Sequence, residues 1–206
     1  MSDFNNDLKK EQILAEYLDA SIYPQLGMNY TRISDINSQY RGIDFILKEN
    51  GGLINVDEKA QLTYLNKSLP TFAFEISYFK NEVLKQGWLN DQTKETEAYF
   101  LITGIQTKDG TDELAHTTNI NSCTIHRVNR QKLIDLMAQK GLSPSKLNII
   151  SEKLRAEKKH GKQAISELHG YNEGNLFFTH WLPEKPINLV LKLQFLIDNG
   201  VAKKIK

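Results

Sequence analysis

A chain of 206 residues with a net charge of +1, 40% apolar and 25% charged residues has the make-up of one folded domain, or a domain with an appendage, that buries a core without staples. A mean hydropathy of −0.46 and the lack of any long uncharged apolar run argue against a helical membrane span, and Cys123, the one cysteine, excludes an internal disulfide. The N-terminus has acidic and amide residues where a signal peptide needs a basic start and an apolar run, so the expected compartment is the cytoplasm.

In chain order, Leu8, Ile13, Leu14, Tyr17, Leu18 and Ile22 recur at spacings of three and four, which predicts an amphipathic helix over 4–23, capped by Asp3 and ended by Pro24. Residues 24–37 read as a loop with room for one short strand. The period then changes to two. Residues 42–47 form a strand, 48–52 a glycine-containing hairpin turn, and 53–61 the return strand. Strands over 71–77 and 98–103 follow, rich in aromatic and β-branched residues. A strand over 122–128 leads into a helix over 129–139 with Gly141 past its end. Ser143 and Pro144 open a charged helix toward 158 that Gly161 interrupts, with a second set of turns ending near Gly170. Strands over 176–181 and 187–193 close the chain. The expected fold is one α/β domain over 1–206, a central mixed sheet flanked by helices: a core over 4–140, a helical insertion over 143–169, and C-terminal strands and helix over 176–206.

The chemistry concentrates in the hairpin. Side chains alternate across a strand, so Asn55, Asp57, Lys59 and Gln61 share one face while Ile54, Val56, Glu58 and Ala60 share the other. Pairing through the glycine turn brings Asp44 toward Asp57 and assembles two carboxylates and one ammonium. Hard Mg²⁺ or Mn²⁺ takes oxygen ligands, here the carboxylates of Asp44 and Asp57 and the backbone carbonyl of Glu58. Such a metal lowers the pKa of a bound water, and Lys59 orients that water or stabilises the charge that develops on phosphorus.

These residues resemble the PD-(D/E)XK nuclease superfamily, whose core is a helix, a β-hairpin bearing an Asp and then (D/E)-x-K, and further α/β elements. Asp44 looks like the lone Asp, and Asp57-Glu58-Lys59 like the tripeptide; Ile43, after Gly42, stands where the name-giving proline would be. The resemblance spans residues 11–103 and rests on the order of elements more than on the short string. It implies a restriction-endonuclease-like core and a Mg- or Mn-dependent endonuclease acting on DNA rather than RNA, with a homodimer suited to cutting both strands. It also implies that Gln61 contacts substrate or water, and that a Glu on the first helix reaches the metal through water. Helical phase favours Glu11, about 20° from Leu18, over Glu16. The alternative readings are a catalytically inactive module of the same fold that binds nucleic acid or protein, and a merely exposed charged strand end.

Other features have two readings each. Glu75, an acid within an apolar strand, faces the same cleft or is an edge charge. Net charge is acidic before residue 140 and basic after it, and the run containing Arg155, Lys158, Lys159 and Lys162 is a phosphate-binding surface or a solvated helix end. Tyr99, Phe177, Phe178 and Trp181 stack on bases or fill the core. His116, His126, His160, His169 and His180 show no zinc spacing, and Cys123 reads as a buried small hydrophobe.

Overall fold

The computed structural model describes residues 4–206, so the expected Asp3 cap lies outside the described residues. The elements are α1 (Phe4–Tyr17), continued by a wider turn over Leu18–Ile22, β1 (Tyr30–Arg32), α2 (Ile36–Tyr40), β2 (Phe45–Glu49), β3 (Gly52–Ala60), β4 (Thr71–Lys80), β5 (Val83–Gln86) and β6 (Ala98–Thr107). Then follow β7 (Ile120–Asn129), α3 (Arg130–Gln139), α4 (Pro144–Ala156), β8 (Gly161–Gln163), β9 (Gly174–Phe178), β10 (Ile187–Lys192), α5 (Leu193–Asp198) and β11 (Ala202–Lys204). The fold is mixed α/β with a mixed central sheet, as the change of period predicts, and it carries a second sheet that the sequence reading does not separate from the first.

The chain divides into two compact units. The first runs through Leu69 and adds Glu95–Val128 and Lys203–Lys206; the second comprises Pro70–Lys94 and Asn129–Ala202. In the first unit the strand order is β1-β2-β3-β6-β7-β11. Asn50 and Gly51 both take positive φ, 50° and 77°, which is what a two-residue type I′ hairpin loop needs, and the register runs from Glu49 opposite Gly52 to Phe45 opposite Val56. Ile13, Leu14, Tyr17 and Leu18 of α1 and the turn after it pack with Phe45, Val56, Phe100, Ile102 and Ile125 in one apolar cluster. Leu8, expected on the same face, is 48% exposed.

The strand next to the hairpin is β6, parallel to β3 with Asp57 opposite Tyr99 and Lys59 opposite Leu101. The strand that follows the hairpin in sequence, β4, belongs to the other sheet. A parallel neighbour needs a long crossover, and the 36 residues between Ala60 and Glu97 supply it.

The second unit holds an antiparallel sheet ordered β5-β4-β10-β9-β8. Strand β10 alternates strictly, with Ile187, Leu189 and Leu191 buried. Helix α4 starts as predicted, with Ser143 accepting from the Lys146 amide and Pro144 in the first turn. It stops at Ala156, and the rest of the expected helical insertion is turns and the edge strand β8, which pairs with β9 from Gly161 opposite Phe178 to Gln163 opposite Leu176. Gly161 takes a φ of 76°, a conformation outside the helical range.

Candidate active site

Backbone hydrogen bonds fix Asp44 before its side chain does anything. Gly42, at a φ of 77°, swings the chain out of α2. The Asp44 amide donates to the Val56 carbonyl at 2.8 Å, and its carbonyl accepts from the Ile33 amide at 2.9 Å. Asp44 thus lies one residue beyond the end of the paired register, where Phe45 faces Val56, and its amide is bonded to that same Val56. Its Oδ2 accepts from the Glu58 amide at 2.6 Å, a charge-assisted bond across the hairpin.

Asp57 is 3% exposed, and the Asp44 carboxyl is hydrogen-bonded to it. Burial pushes Asp57 up to about 7; the Lys59 ammonium opposes this and the Asp44 carboxyl adds to it. The Lys59 ammonium is ion-paired with Asp57 Oδ1 and lies 3.4 Å from the Glu58 carbonyl. Burial works to lower the Lys59 pKa, but the charges of Asp57, Asp44 and Glu11 outweigh it and hold the amine protonated.

The structure therefore brings Asp44, Asp57 and Lys59 together, with Glu11 near enough on α1 to act on Lys59. Glu16 instead accepts from Gln12 at 3.1 Å. Gln61 sits one residue past the end of β3, at φ −89° and ψ 64°, so strand alternation does not set where its side chain points. Glu75 lies on β4, a strand of the second sheet and not of the hairpin's own.

The Glu58 side chain occupies the opposite face and has a role that sequence reasoning missed. Its carboxylate accepts from the Tyr23 hydroxyl and from the Arg32 guanidinium, which also holds Asp19 at 2.8 Å; Asp19 accepts in turn from Tyr30 at 2.6 Å. The guanidinium carbon of Arg32 lies 5.3 Å from the Phe45 ring centre and 5.7 Å from that of Tyr23. Burial raises the Glu58 pKa, more than Arg32 and Tyr23 lower it. The signal available in the sequence was an acid on a face otherwise made of Ile54, Val56 and Ala60, which calls for a buried cation.

The basic run separates into different roles. Arg155 donates to the Lys185 carbonyl at 2.7 Å and to Ser77 Oγ at 2.8 Å, and lies 4.9 Å from the Phe79 ring centre and 5.2 Å from that of Phe178. It ties α4 to β4, together with a buried 2.6 Å hydrogen bond between Ser77 and Ser151. Arg155→Ala should destabilise the protein by about 2–3 kcal/mol, read as a lower urea midpoint. Lys159 pairs with Glu157 at 2.8 Å, whereas Lys158 and Lys162 are exposed. Cys123 is buried, and burial lifts its thiol to about 11, far from thiolate chemistry at neutral pH.

The donor set was weighed against a divalent cation. Among the described residues no group of three or more His, Cys, Asp or Glu side chains is arranged to hold a metal ion. Two carboxylates suffice for Mg²⁺, which keeps several waters and is commonly bound through one or two acids and a substrate phosphate. The Asp44–Asp57 pair is thus a fit of the minimal kind, all hard oxygen, with the Glu58 carbonyl alongside. No helix among the described residues is long and apolar enough to cross a membrane. No protein-family model, no curated protein and no solved structure matches this chain.

Proposed function

We propose that the protein is a metal-dependent phosphodiester hydrolase, endonuclease-like, acting on DNA. The observation that carries the reading is the contact between the Asp44 and Asp57 carboxyls with the Lys59 ammonium on the same pair. Two acids pressed together are a cost that a divalent cation converts into a gain. Asp44 and Asp57, with the Glu58 carbonyl, would hold the ion, which supplies a water of lowered pKa and screens charge on the phosphate. Asp44 is set by backbone hydrogen bonds on both sides and by the Glu58 amide, so its carboxylate needs little reorganisation. Lys59, kept protonated by its acidic neighbours, is the cation that holds the attacking water or the charge gathering on the phosphate oxygens. The water oxygen bonds to phosphorus, the bond to the leaving oxygen breaks, and that oxygen takes up a proton. Glu11 contributes negative charge near Lys59 from α1.

The test is incubation of the purified protein with plasmid, duplex, branched and single-stranded DNA and with RNA, with and without Mg²⁺ or Mn²⁺. Cleavage that needs the metal is expected. Intact substrates throughout would leave the inactive binding module as the better reading.

Protons compete with the metal at Asp57. Because its pKa is raised to about 7, Mn²⁺ affinity should climb as pH rises toward neutrality and flatten above it. Calorimetry at about pH 6 in two buffers of different ionisation enthalpy should show proton release on binding. Affinity that is flat across that interval would contradict the raised pKa of Asp57.

A further inference from the structure

A run of aromatic rings and lysines crosses the surface of the second unit. Lys162 of β8 is the register partner of Phe177 of β9, so their side chains stand on the same side of the sheet. The Phe177 ring meets Trp181 edge-on at 6.1 Å, and Trp181 meets His180 edge-on at 5.2 Å. His180 stacks on His160 with ring centres 3.7 Å apart and planes at 29°. Lys158, two residues before His160, is close enough that its charge, after burial and His180, helps lower the His160 pKa. The series Lys162, Phe177, Trp181, His180, His160, Lys158 is therefore continuous, with a lysine at each end. Trp181 is 62% exposed, and both histidines and both lysines are exposed.

The His160 ring packs on the buried ring of Phe178 at 5.0 Å, which anchors the imidazole stack on one side, whereas the Trp181 indole is held in water. Exposed rings flanked by ammonium groups are the combination that grips an unpaired nucleic-acid strand, since every base offers a π-face and every nucleotide a phosphate. Duplex DNA, with its bases stacked inward, could use only the lysines. We propose that this surface binds single-stranded nucleic acid, with bases stacking on Trp181 and the His160–His180 pair and phosphates meeting Lys158 and Lys162. Arg155 has no part in it, being committed to Ser77 and Lys185. The inference rests on the nucleic-acid partner of the proposed function but not on hydrolysis.

The experiment is titration of the full chain, without divalent metal, with oligo-dT, oligo-rU, a blunt duplex and polyglutamate, followed by tryptophan emission and by anisotropy of a labelled strand. Oligo-dT should quench tryptophan emission and bind at least tenfold more tightly than the duplex, and polyglutamate should not bind. Trp181→Ala should abolish most of the quenching and, like His160→Ala, weaken oligo-dT binding roughly tenfold or more. Lys158→Ala with Lys162→Ala should flatten the dependence of log affinity on log salt by about 1.4. All these positions are exposed, and unchanged thermal melts would certify the fold. Oligo-dT binding that is absent, matched by the duplex, or unaltered in Trp181→Ala would overturn the proposal. Metal-dependent cleavage with unaltered binding in Trp181→Ala would sink this surface and leave the hydrolase standing. Quenching by oligo-dT in a protein that cuts nothing would do the reverse.

Discussion

Asp57→Ala should lose metal-dependent DNA cleavage by about a thousandfold or more while remaining folded. Both halves follow from one contact. The buried Asp57 carboxyl is where a cation would replace a proton, so its removal takes away the acid that any bound ion most needs. In the metal-free protein the same carboxyl is paired with Lys59 and crowded by Asp44, so alanine loses one contact, relieves the other and leaves Asp44 with its Glu58 amide. Lys59→Ala should cost activity on a similar scale but leave Mn²⁺ binding nearly intact, because the amine is a cation and no ligand. The pair is measured by cleavage assays, calorimetry with Mn²⁺ and thermal melts on the same preparations. An Asp57→Ala protein that cuts as well as wild type would remove the site from the hairpin.

Arg32→Ala should destabilise the protein by about 3–5 kcal/mol near neutral pH. The guanidinium neutralises Glu58 and Asp19 together and covers Phe45 and Tyr23. Its loss strands the Glu58 carboxylate, whose side chain is only 12% exposed. The sign of the pH effect distinguishes this account from lost packing alone. Burial already holds the Glu58 pKa above its ordinary value, and without Arg32 it rises further. A carboxyl with a folded-state pKa above its unfolded one stabilises while protonated, and that stability disappears as pH climbs through the folded value. The gap between wild type and Arg32→Ala should thus widen from about pH 5 to about pH 8 in urea denaturation. A constant gap would assign the cost to packing. Because Glu58 lies between Asp57 and Lys59, the same variant should weaken Mn²⁺ binding where it remains folded.

The hairpin was legible because its signals are local. Asn50 and Gly51 encode the turn, the turn sets the register from Glu49 to Phe45, which leaves Asp44 just beyond its end near Asp57, and side-chain alternation puts Lys59 on the same side as Asp57. Helix α1 was legible for the same reason, and its phase separated Glu11 from Glu16. Gln61 was less so, since alternation holds only while the strand continues, and β3 ends at Ala60. The sheet to which Glu75 belongs was not legible, because nearness in sequence does not choose a strand's neighbour.

The sequence by itself determined the α/β class, the main helices and strands, and the opposition of two acids and a lysine across one hairpin, because each depends on contacts within a few residues or across one tight turn. Only the tertiary structure decided that β6 rather than β4 lies beside β3, that the strands divide between two sheets, that Arg32 from β1 meets Glu58 of β3, and that Arg155 is a brace whereas His160 and His180 stack. Those outcomes join groups distant along the chain, where closure entropy is repaid only by burial and charge pairing summed over the whole fold, and no local period records that sum.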